Sequence, residues 1–530
     1  MRRLASLLIT SAALLAQSPT EKPTEDPDPA RKFFAHKGLV QIRIQLEPAD
    51  RQQLRDEPRR YVPATLHIDR DKKGWKNVGI KLKGAAGSFQ KIDERPGFTV
   101  NLGKFDEQHR LHGLRRFHLN NGAQDESRLC EWLGGEIFTA AGYPAPRVSH
   151  ALVWLDEKPL GLYVLREGYD DQFLVRALGT TEGNLYDGGF CKDIDRSLEK
   201  DEGSGPDDLS DLHQLLEACR NFDSEDTASL EDILDIENFI RFMALESMLE
   251  HWDGYSYNRN NFRLWCGLGP EQTLFLPHGM DQLFGDDEAS ILAHPSAIAA
   301  SAVQRHPAWR ERYREQLQAL LPLFKSAPLV RKIKARAAPL QKGLRTVDRD
   351  LAAEHKRSVN KLVSRVQGRY RSLQKQVKAP EPEPLAFKGD EEIRLTRWRP
   401  AGETDHITLK KRSYRGAPSL YIESTSPGGE ARRGAFRSSA LLSKGVYRFT
   451  AMARCQDVKR PADGGGGIRL RVLDARSESL EGDCKWTELS CEFEVTDFRK
   501  SVELRLDFKA TDGKAWFRLD SPALQRIDDR

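Results

Sequence analysis

The polar stretch at the end of one apolar helix pattern constrains this chain more than any other feature. The helix pattern covers residues 232–252 and runs into the segment 251–261, HWDGYSYNRNN. A second segment, GMDQLFG, follows at 279–285. A broad apolar helix face usually packs into a core, so the end of this helix directs the polar segment to a fixed place. Two carboxylates, Asp253 and Asp281, and several amides are therefore expected to converge there.

The spacing within this stretch is more informative than its composition. Asp253 and Asn258 are five residues apart, and His251 precedes the aspartate by two residues. The same offsets occur in the kinase catalytic loop H-R-D-x-x-x-x-N. Phosphoryl transfer needs a carboxylate that orients or deprotonates the acceptor hydroxyl, and oxygen ligands that hold metal against the phosphates. The stretch supplies each of these residue types.

Two short strand patterns separate Asn258 from Asp281. They cover residues 262–265 and 273–276 and are joined by the turn Gly267-Leu268-Gly269-Pro270. A hairpin of this kind returns the chain beside its start. We therefore expect Asp281 to reach the metal side of Asp253, as the Asp of D-F-G does in a kinase.

The first residues predict export. A basic start is followed by an apolar run from Leu4 to Ala16 and then by polar residues, which is the layout of a secretory signal peptide. The run is too short for a stable bilayer span, although an uncleaved anchor is the alternative. We predict a signal peptide at 1–18, a polar linker at 19–32, no transmembrane anchor, and a secreted, periplasmic or cell-surface location.

Charge and cysteine content narrow the function classes. The formal net charge of +4 is small for 530 residues, so no overall basic field predicts a nucleic-acid partner. The seven cysteines form no C-x-x-C pair, which argues against a structural zinc site. An oxidising compartment permits disulfides. Cys484 and Cys491 are the candidate pair, and most of the other cysteines are expected to be buried thiols.

The region before the central helix predicts a mixed or antiparallel sheet, because short apolar runs alternate with turns. A strand over 78–83 ends in Lys83-Gly84-Ala85-Ala86-Gly87-Ser88. There, backbone N–H groups and Ser88 could hold a phosphate beside Lys81 or Lys83, while a plain tight turn is the alternative. Glu167 closes a later strand and could pair with either lysine, although an exposed strand-end glutamate is the commoner arrangement.

The pattern beyond Gly285 is helical to about Val377. Its second part, residues 326–377, forms a basic helical segment. Such a segment is either a solvated helix face or a surface for an acidic substrate or anionic glycan. A stiff Pro/Glu linker at 378–386 marks a boundary.

The last region, residues 387–530, consists of short alternating strands with regular turns. This pattern predicts an antiparallel β-sandwich, specifically a jelly roll. Trp486, Trp516 and Tyr447 could form a platform on which sugars stack, although aromatic residues in a sandwich more often fill its core. A glycan is therefore a second candidate partner, beside a protein substrate.

Residues from about 75 to 290 resemble the spore-coat protein H (CotH) kinase family. The matching positions are spread through this region, and their order and number carry the resemblance. They are Lys83-Gly84 with Ser88, Leu119-Asn120-Asn121 with Asp125 and Ser127, Gly161-Leu162-Tyr163-Val164-Leu165 with Glu167, Gly183-Asn184-Leu185-Tyr186, His251-Trp252-Asp253-Gly254-Tyr255 with Asn258, Asn260 and Asn261, and Gly279-Met280-Asp281 with Phe284-Gly285.

The resemblance implies an atypical protein-kinase-like fold for the domain at 33–325. The C-terminal region is similar, by its strand pattern, to carbohydrate-binding jelly-roll modules. With the helical segment between them, these two parts predict an α+β fold class that ends in an all-β jelly-roll sandwich. It also implies ATP and a divalent metal, Mg²⁺ or Mn²⁺, as cofactors. The implied reaction is phosphate transfer to Ser or Thr of secreted or coat proteins.

Site roles follow from the resemblance residue by residue. Asp253 is the catalytic base or the carboxylate that orients the acceptor, Asp281 is a metal ligand, and Asn258 or Asn261 is a second metal ligand. The nucleotide-contacting candidates are Lys83, Lys81, Ser88 and Glu167. Family members often have Arg where Lys83 stands, so this chain departs from the family at that position.

Two other functions are open on the sequence. The kinase-like fold could be a catalytically silent scaffold in surface adhesion or coat assembly, with the sandwich binding glycan. Alternatively, Asp253, Asp281 and Asp286 could hold metal for hydrolysis. Hydrolysis does not require the kinase-like offset between Asp253 and Asn258, so the offset favours phosphate transfer.

Overall fold

The computed structural model describes residues 28–35, 38–69, 71, 73–221, 228–268, 273–402, 406–425, 430–461 and 465–527. The predicted signal peptide at 1–18, most of the predicted linker and residues 269–270 of the predicted turn lie outside these residues. Within the described part of the chain, no helix is both long enough and apolar enough to cross a membrane.

The described chain contains α-helices and β-strands in a mixed order. The helices are α1 (Arg31–Phe34), α2 (Pro48–Asp56), α3 (Cys130–Ala140), α4 (Asp171–Leu178), α5 (Ser210–Asn221), α6 (Ala228–Glu231), α7 (Ile236–Leu249), α8 (Tyr255–Asn258), α9 (Ile298–Arg305), α10 (Pro307–Leu320), α11 (Ser326–Arg345) and α12 (Arg349–Gln376). The strands of the first two sheets are β1 (Val40–Gln45), β2 (Val62–Ile68), β3 (Trp75–Lys83), β4 (Gly97–Asn101), β5 (Arg116–Asn120), β6 (Val148–Leu155), β7 (Lys158–Glu167), β8 (Gly183–Asp187), β9 (Glu199–Gly203), β10 (Phe262–Gly267) and β11 (Thr273–Pro277). The strands of the third sheet are β12 (Glu392–Arg394), β13 (Arg399–Gly402), β14 (Ile407–Lys411), β15 (Ser419–Thr425), β16 (Arg432–Lys459), β17 (Gly467–Val472), β18 (Ala475–Arg476), β19 (Gly482–Ala510), β20 (Asp512–Arg518) and β21 (Ala523–Arg526).

The first compact unit comprises the described residues up to 121 together with 146–181. Its strands form a closed barrel in the order β1-β2-β3-β4-β5-β7-β6, in which only β1 and β6 pair in parallel. Alternate residues point into the barrel: Val62 and Leu66 of β2 are buried, as their period-two spacing requires. Near the end of this region β6 and β7 pair antiparallel, and Glu167 closes β7 as the sequence predicts.

The second compact unit comprises residues 122–145 and 182 onward. Its helix α7 begins at the cap Asp235, whose carboxylate accepts from the Asn238 backbone N–H. The rings of Phe239 and Phe275 are 4.8 Å apart, and those of Tyr255 and Phe275 are 4.2 Å apart. One aromatic core therefore joins α7, α8 and β11. The predicted hairpin is confirmed, because β10 pairs antiparallel with β11.

The basic segment after residue 325 forms α11 and α12, which lie in the same compact unit as α7. Most of its charges are exposed, but α12 also buries His355, Ser358 and Arg369. These polar side chains bind the start of α3 and the end of α7. The segment is therefore an integral part of the helical unit rather than only a solvated face.

The C-terminal region is all-β, as predicted. Its central strand order is β14-β15-β20-β16-β19-β17-β18, with β12, β13 and β21 paired at its margins. The long strands β16 and β19 pass through a register shift between Ser443 and Gly445. Tyr447 is fully buried in the core and donates its hydroxyl to the Ser443 carbonyl, so it cannot be part of a sugar-stacking surface.

The predicted pairing of Cys484 with Cys491 is wrong. Cys484 is bonded to Cys455, and the two Cα atoms are 5.0 Å apart. Cys484 and Cys491 lie on the same strand, β19, and seven residues of strand span about 23 Å, which no disulfide can bridge. The pair that forms instead lies at opposed positions of β16 and β19. Cys130, Cys219, Cys266 and Cys491 are buried free thiols, as expected for most of the cysteines.

Candidate active site

The polar loop after α7 is held by a buried carboxylate within that helix. Glu246 is fully buried, and its Oε1 accepts from the Tyr255 backbone N–H at 2.9 Å. Its Oε2 accepts from both the backbone N–H and the hydroxyl of Ser256, at 3.0 and 2.6 Å. Because these donors belong to the first residues of α8, Glu246 fixes α8 relative to α7. The loop that contains Asp253 is thus tied at both ends.

Asp253 is surrounded by asparagine amides. Its Oδ1 accepts from Asn258 Nδ2, and its Oδ2 accepts from Asn260 Nδ2 at 3.0 Å and Asn261 Nδ2 at 2.7 Å. Asn261 Nδ2 also contacts the Asp253 backbone carbonyl at 3.1 Å. Three predicted site residues, Asp253, Asn258 and Asn261, are therefore brought into direct contact.

The hydrogen bonds of Asp253 leave one acceptor position unused. An ionised carboxylate offers about four lone-pair positions on its two oxygens. The two amides on Oδ2 fill that oxygen, whereas Oδ1 receives one amide, from Asn258. A further donor, such as a substrate hydroxyl, can therefore be accommodated at Oδ1. Asp253 is partly exposed, so a substrate can reach it.

The β10–β11 hairpin returns the chain to Asn261, as the sequence predicted. The His278 backbone N–H donates to the Asn261 carbonyl at 3.1 Å. Gly279 has φ +56° and lies so close to the Asn261 side chain that a Cβ there would overlap Oδ1. Asp281 follows in a single turn, Met280–Gln282, and is partly exposed. The segment that contains Asp281 is therefore anchored beside Asn261, which is a direct hydrogen-bond partner of Asp253.

The residues after Asp281 bind back to the end of α7. The Phe284 backbone N–H donates to the Leu249 carbonyl at 3.0 Å, and the Asp286 backbone N–H donates to Glu250 Oε2 at 2.7 Å. Burial raises the pKa of Glu250 above its usual value, and the backbone N–H of Asp286 opposes that rise. These bonds close the loop around the candidate site.

A buried arginine from α12 completes the anchoring. Arg369 is fully buried. Its guanidinium donates to the carbonyls of Ser247 and Met248 at the end of α7, at 2.6 and 3.0 Å. It also donates to the carbonyls of Asp287 and Ala289, at 3.2 and 2.5 Å. One side chain thus adds donors to two carbonyls at the end of α7, where helix carbonyls run out of intrahelical partners. The Ser247 carbonyl also accepts from the Glu250 backbone N–H at 3.1 Å.

Lys83 and Lys81 lie in the barrel unit. Lys83 Nζ donates to Asn120 Oδ1 at 2.5 Å, across the intervening strand β4. The crossing is possible because the position opposite Lys83 is Gly97, where even a Cβ would meet Lys83 Cγ at 3.1 Å. Lys81 lies with its Nζ 4.8 Å from the Tyr61 ring centroid, a cation–π distance.

The loop at Ser88 forms a closed turn. Ser88 Oγ accepts from the Ala85 backbone N–H, while the N–H groups of Ser88 and Phe89 donate to the Ala85 carbonyl. The Ser88 carbonyl accepts from Asn121 Nδ2 at 3.0 Å. The N–H groups of Ala85, Ser88 and Phe89 are therefore committed to the turn itself, which agrees with the tight-turn alternative.

Glu167 pairs with arginines, so both alternatives drawn from the sequence are wrong: it neither pairs with Lys83 or Lys81 nor is an exposed strand-end glutamate. Its carboxylate is fully buried, with Arg147 at 2.6 Å and Arg176 at 2.7 Å. The barrel order explains this result, because Glu167 lies opposite Phe117 on β5 and near the Arg147 backbone, which it also accepts from at 2.8 Å. Glu167 therefore stabilises the barrel end.

The sequence missed three residues that shape this site. Asn260 was recognised only as part of the motif, although it binds Asp253 directly. Glu246 is a lone carboxylate within an apolar helix face, which is a signal of a buried polar role because unpaired acids are almost never buried. Arg369 lacked such a signal, because it is one of many basic residues on α12.

The three-aspartate arrangement for hydrolysis is not supported by the geometry. Among the described residues, no group of three His, Cys, Asp or Glu side chains is placed to hold a metal ion. Asp286 is exposed, and its Oδ1 accepts from the Glu288 backbone N–H at 2.9 Å. A site built on Asp281 and asparagine oxygens is compatible with this finding, since asparagine is not among those four residue types.

Comparison with known proteins identifies the family. The model of the CotH kinase protein family matches residues 80–373, more than half of the 530 residues, and the chain belongs to that family. The resemblance seen in the sequence is confirmed, and the protein is kinase-like. The match extends past residue 325, so it includes α11 and most of α12.

One relative and two solved structures show more distant likeness. Invasin CotH2 of Rhizopus delemar is 22% identical over 164 residues, which cover 27% of this chain and 28% of that relative. The Helicobacter pylori proinflammatory kinase CtkA is 10% identical at a TM-score of 0.25, with 55% of this chain and 95% of that chain covered. TmCBM61, in complex with β-1,4-galactotriose, is 16% identical at a TM-score of 0.19, with 25% of this chain and 91% of that chain covered. At these TM-scores neither structural likeness carries an argument about this chain.

Proposed function

We propose that this chain is an ATP-dependent protein kinase that acts outside the cytoplasm and transfers phosphate to Ser or Thr of a coat or surface protein. The observation that carries the proposal is the geometry of Asp253. Asn258, Asn260 and Asn261 fix its carboxylate and leave one lone-pair position at Oδ1. An acceptor hydroxyl that donates to Oδ1 would be oriented for attack and would pass its proton to that oxygen.

The residues beside Asp253 fit a divalent metal, Mg²⁺ or Mn²⁺. Both ions prefer oxygen ligands, and Mg²⁺ is commonly held by one or two carboxylates together with substrate phosphates. Asp281 would supply the carboxylate, and Asn258 or Asn261 would supply an amide oxygen. When bound, the metal would neutralise charge on the phosphates.

The barrel residues have a narrower proposed role. Lys83 would contact the nucleotide phosphates through the ammonium that Asn120 orients. Lys81 and Ser88 are weaker candidates, because Lys81 stacks on Tyr61 and Ser88 closes its own turn. Glu167 is proposed to act only through the arginines that it binds.

The first test is thermal stabilisation of the purified protein by ATP with Mg²⁺ or Mn²⁺. A ligand that binds only the folded state raises the melting temperature. A free ligand concentration of about 100 times Kd stabilises the folded state by about 2.7 kcal/mol. We expect ATP to raise the melting temperature only when metal is present. This rise should be smaller in Asp281→Asn and nearly the same as wild type in Asp253→Asn. Absence of a rise at millimolar ligand would instead support the silent-scaffold alternative.

Phosphate transfer then separates the roles of the carboxylates. Asp253→Asn should abolish transfer to a Ser/Thr acceptor while leaving nucleotide binding in place. Asp286→Asn is the matched control, because Asp286 is a nearby exposed carboxylate whose Oδ1 accepts from the Glu288 backbone N–H. If Asp253→Asn retained full transfer, or if Asp286→Asn lost it, the assignment of Asp253 would be wrong.

A further inference from the structure

The outer face of the C-terminal sheet carries a group of aromatic and basic side chains that the proposed kinase function does not use. On this face, Trp516 of β20 lies opposite Tyr421 of β15 and Arg454 of β16. Alternate residues of the same strands, such as Ile422 and Phe517, point into the hydrophobic core. We define the aromatic–basic cluster by its members, which are Tyr414, Tyr421, Trp486, Trp516, Lys410, Arg412, Arg415 and Arg454.

The rings of the cluster are packed edge to face around Tyr414. This residue lies in the turn between β14 and β15. Its ring centroid is 5.1 Å from that of Trp516, at 61°, and 6.0 Å from that of Trp486, at 84°. Tyr414 and Trp486 are half-buried, whereas Trp516 is only 5% exposed. Trp486 therefore offers accessible ring surface, and Tyr414 packs against both Trp486 and the buried Trp516.

Four positive charges lie on these rings. Arg454 and Arg415 lie 4.6 and 5.7 Å from the Tyr414 centroid, and Arg412 and Lys410 lie 5.1 and 5.6 Å from the Tyr421 centroid. These are cation–π distances. The rings therefore hold the basic side chains in place and present them together.

The basic side chains of the cluster have no carboxylate within ion-pair distance in the described chain. None of Lys410, Arg412, Arg415 and Arg454 forms an ion pair with a described carboxylate, and the buried Nε of Arg454 has no hydrogen-bond partner there. Glu423, two residues along β15 from Tyr421, is instead bound by Lys514 at 3.7 Å. The cluster thus combines unpaired cations with exposed ring surface, which suits an anionic ligand that has an apolar face.

A disulfide stiffens the cluster. Cys455 is bonded to Cys484 across β16 and β19, next to Arg454 and two residues before Trp486. The bond fixes the two strands that carry these side chains. Such rigidity lowers the entropy lost when a ligand binds.

We infer that the aromatic–basic cluster binds an acidic polysaccharide. The apolar faces of its sugar rings would pack on Trp486, and its carboxylates would bind Arg412, Arg415 and Arg454 in charge-assisted hydrogen bonds. This inference does not depend on phosphate transfer.

A nucleic acid is a poorer match to the same surface. Single strands bind along extended basic grooves with aromatic rings on which successive bases stack. Here the Tyr414 ring lies at 61° to the Trp516 ring and at 84° to the Trp486 ring, so the three rings do not form a row of parallel stacking surfaces. The whole chain also has a formal charge of only +4.

Binding of the full chain to polygalacturonate, alginate and hyaluronate, measured by calorimetry, tests the inference. Polygalacturonate with its carboxylates methyl-esterified is the neutral control, and an oligothymidylate tests nucleic acid. The variants are Trp486→Ala and the double variant Arg412→Gln/Arg415→Gln, whose two arginines are exposed in a turn. Arg437→Gln is the matched control, because Arg437 is an exposed arginine of β16 that pairs with Glu503.

At least one of the acidic polymers should bind, and each cluster variant should weaken that binding about tenfold or more. Arg437→Gln should leave binding unchanged, and all variants should keep the wild-type melting temperature within a few degrees. The inference is overturned if no acidic polymer binds, if the esterified polymer binds equally well, if the oligothymidylate binds more tightly, or if Arg437→Gln causes the same loss. A cluster variant that melts much earlier would be replaced by Trp486→Phe, which keeps the packing but reduces the ring surface.

Discussion

Asn261 binds Asp253 twice, through the carboxylate at 2.7 Å and through the backbone carbonyl at 3.1 Å. The same side chain lies against Gly279, at the start of the segment that carries Asp281. Asn261 itself has φ +47°, a left-handed conformation that asparagine tolerates better than most residues. One amide therefore sets the position of the candidate catalytic carboxylate relative to the metal-binding segment.

Gly279→Ala should disturb this arrangement. The new Cβ would overlap Asn261 Oδ1, so the amide must move away from Asp253 or the 279–281 segment must shift. We expect phosphate transfer to fall at least about tenfold, since 1.4 kcal/mol of lost transition-state stabilisation corresponds to that factor. The measurement is the transfer rate at saturating ATP and metal.

Gly142→Ala is the control for the backbone cost of that change. Gly142 has φ +72° but no atom within 4 Å of its added Cβ. Both variants should lose about 1 kcal/mol of stability from the left-handed conformation, and only Gly279→Ala should also lose transfer. Equal loss of activity in both variants would argue against a role for the Asn261–Gly279 contact.

Glu246→Gln should weaken the loop that carries Asp253. The carboxylate accepts three hydrogen bonds from Tyr255 and Ser256, and a glutamine would turn one of its two acceptor ends into a donor. Leaving a buried donor unsatisfied costs about 1–3 kcal/mol. Urea denaturation should show that loss, together with reduced transfer. Glu237→Gln alters an exposed glutamate of the same helix. It should change the free energy of unfolding by no more than about 0.5 kcal/mol and the rate of phosphate transfer by no more than about twofold.

Arg369→Met should destabilise the protein strongly, because four carbonyls would lose a charged donor in a buried position. Hydrogen bonds to charged groups contribute about 1.5–3 kcal/mol each, so we expect a loss of about 3 kcal/mol or more in the free energy of unfolding. Arg371→Met alters an exposed arginine on the same helix and should stay near the wild-type value. A small effect of Arg369→Met would mean that water replaces the guanidinium.

His355 should make stability depend on pH. Burial lowers the pKa of this imidazole below its usual value of 6.5, and its Nε2–H donates to the Ser127 carbonyl at 2.9 Å. As the pH falls below about 6.5, the unfolded chain gains a proton at His355 while the folded chain stays neutral, so stability is lost in acid. His355→Gln keeps a donor without titrating and should reduce that loss. His213→Gln, at an exposed histidine of α5, is the control for replacing a histidine by glutamine.

The sequence predicts local structure around the site well, because local rules determine it. The hairpin between Asn261 and His278 follows from two short apolar runs with a Gly-Pro turn. Helix α7 follows from its apolar face, although it spans Ile236–Leu249 rather than the predicted 232–252. The Asp253–Asn258 contact could be anticipated from the five-residue offset. These features depend on neighbours in the chain, which a sequence displays directly.

Long-range partners could not be predicted in the same way. Glu167 forms ion pairs with Arg147 and Arg176 because the barrel order places them together, and that order cannot be read from the sequence. Cys484 is bonded to Cys455 because the register of β16 and β19 places the two residues at opposite positions. Arg369 met the end of α7 across more than 120 residues of chain. Each partner was set by topology rather than by spacing.

The dependence of the α7 end on Arg369 also has a consequence for synthesis. A ribosome makes the Asp253 loop long before it makes α12, so the nascent chain carries that loop for more than a hundred residues without its buried guanidinium. Until α12 emerges, the carbonyls of Ser247 and Met248 lack the guanidinium donors of Arg369. The candidate site can therefore take its final form only after α12 has been synthesised. A ribosome-stalled chain that ends before residue 369 should lack the folded site.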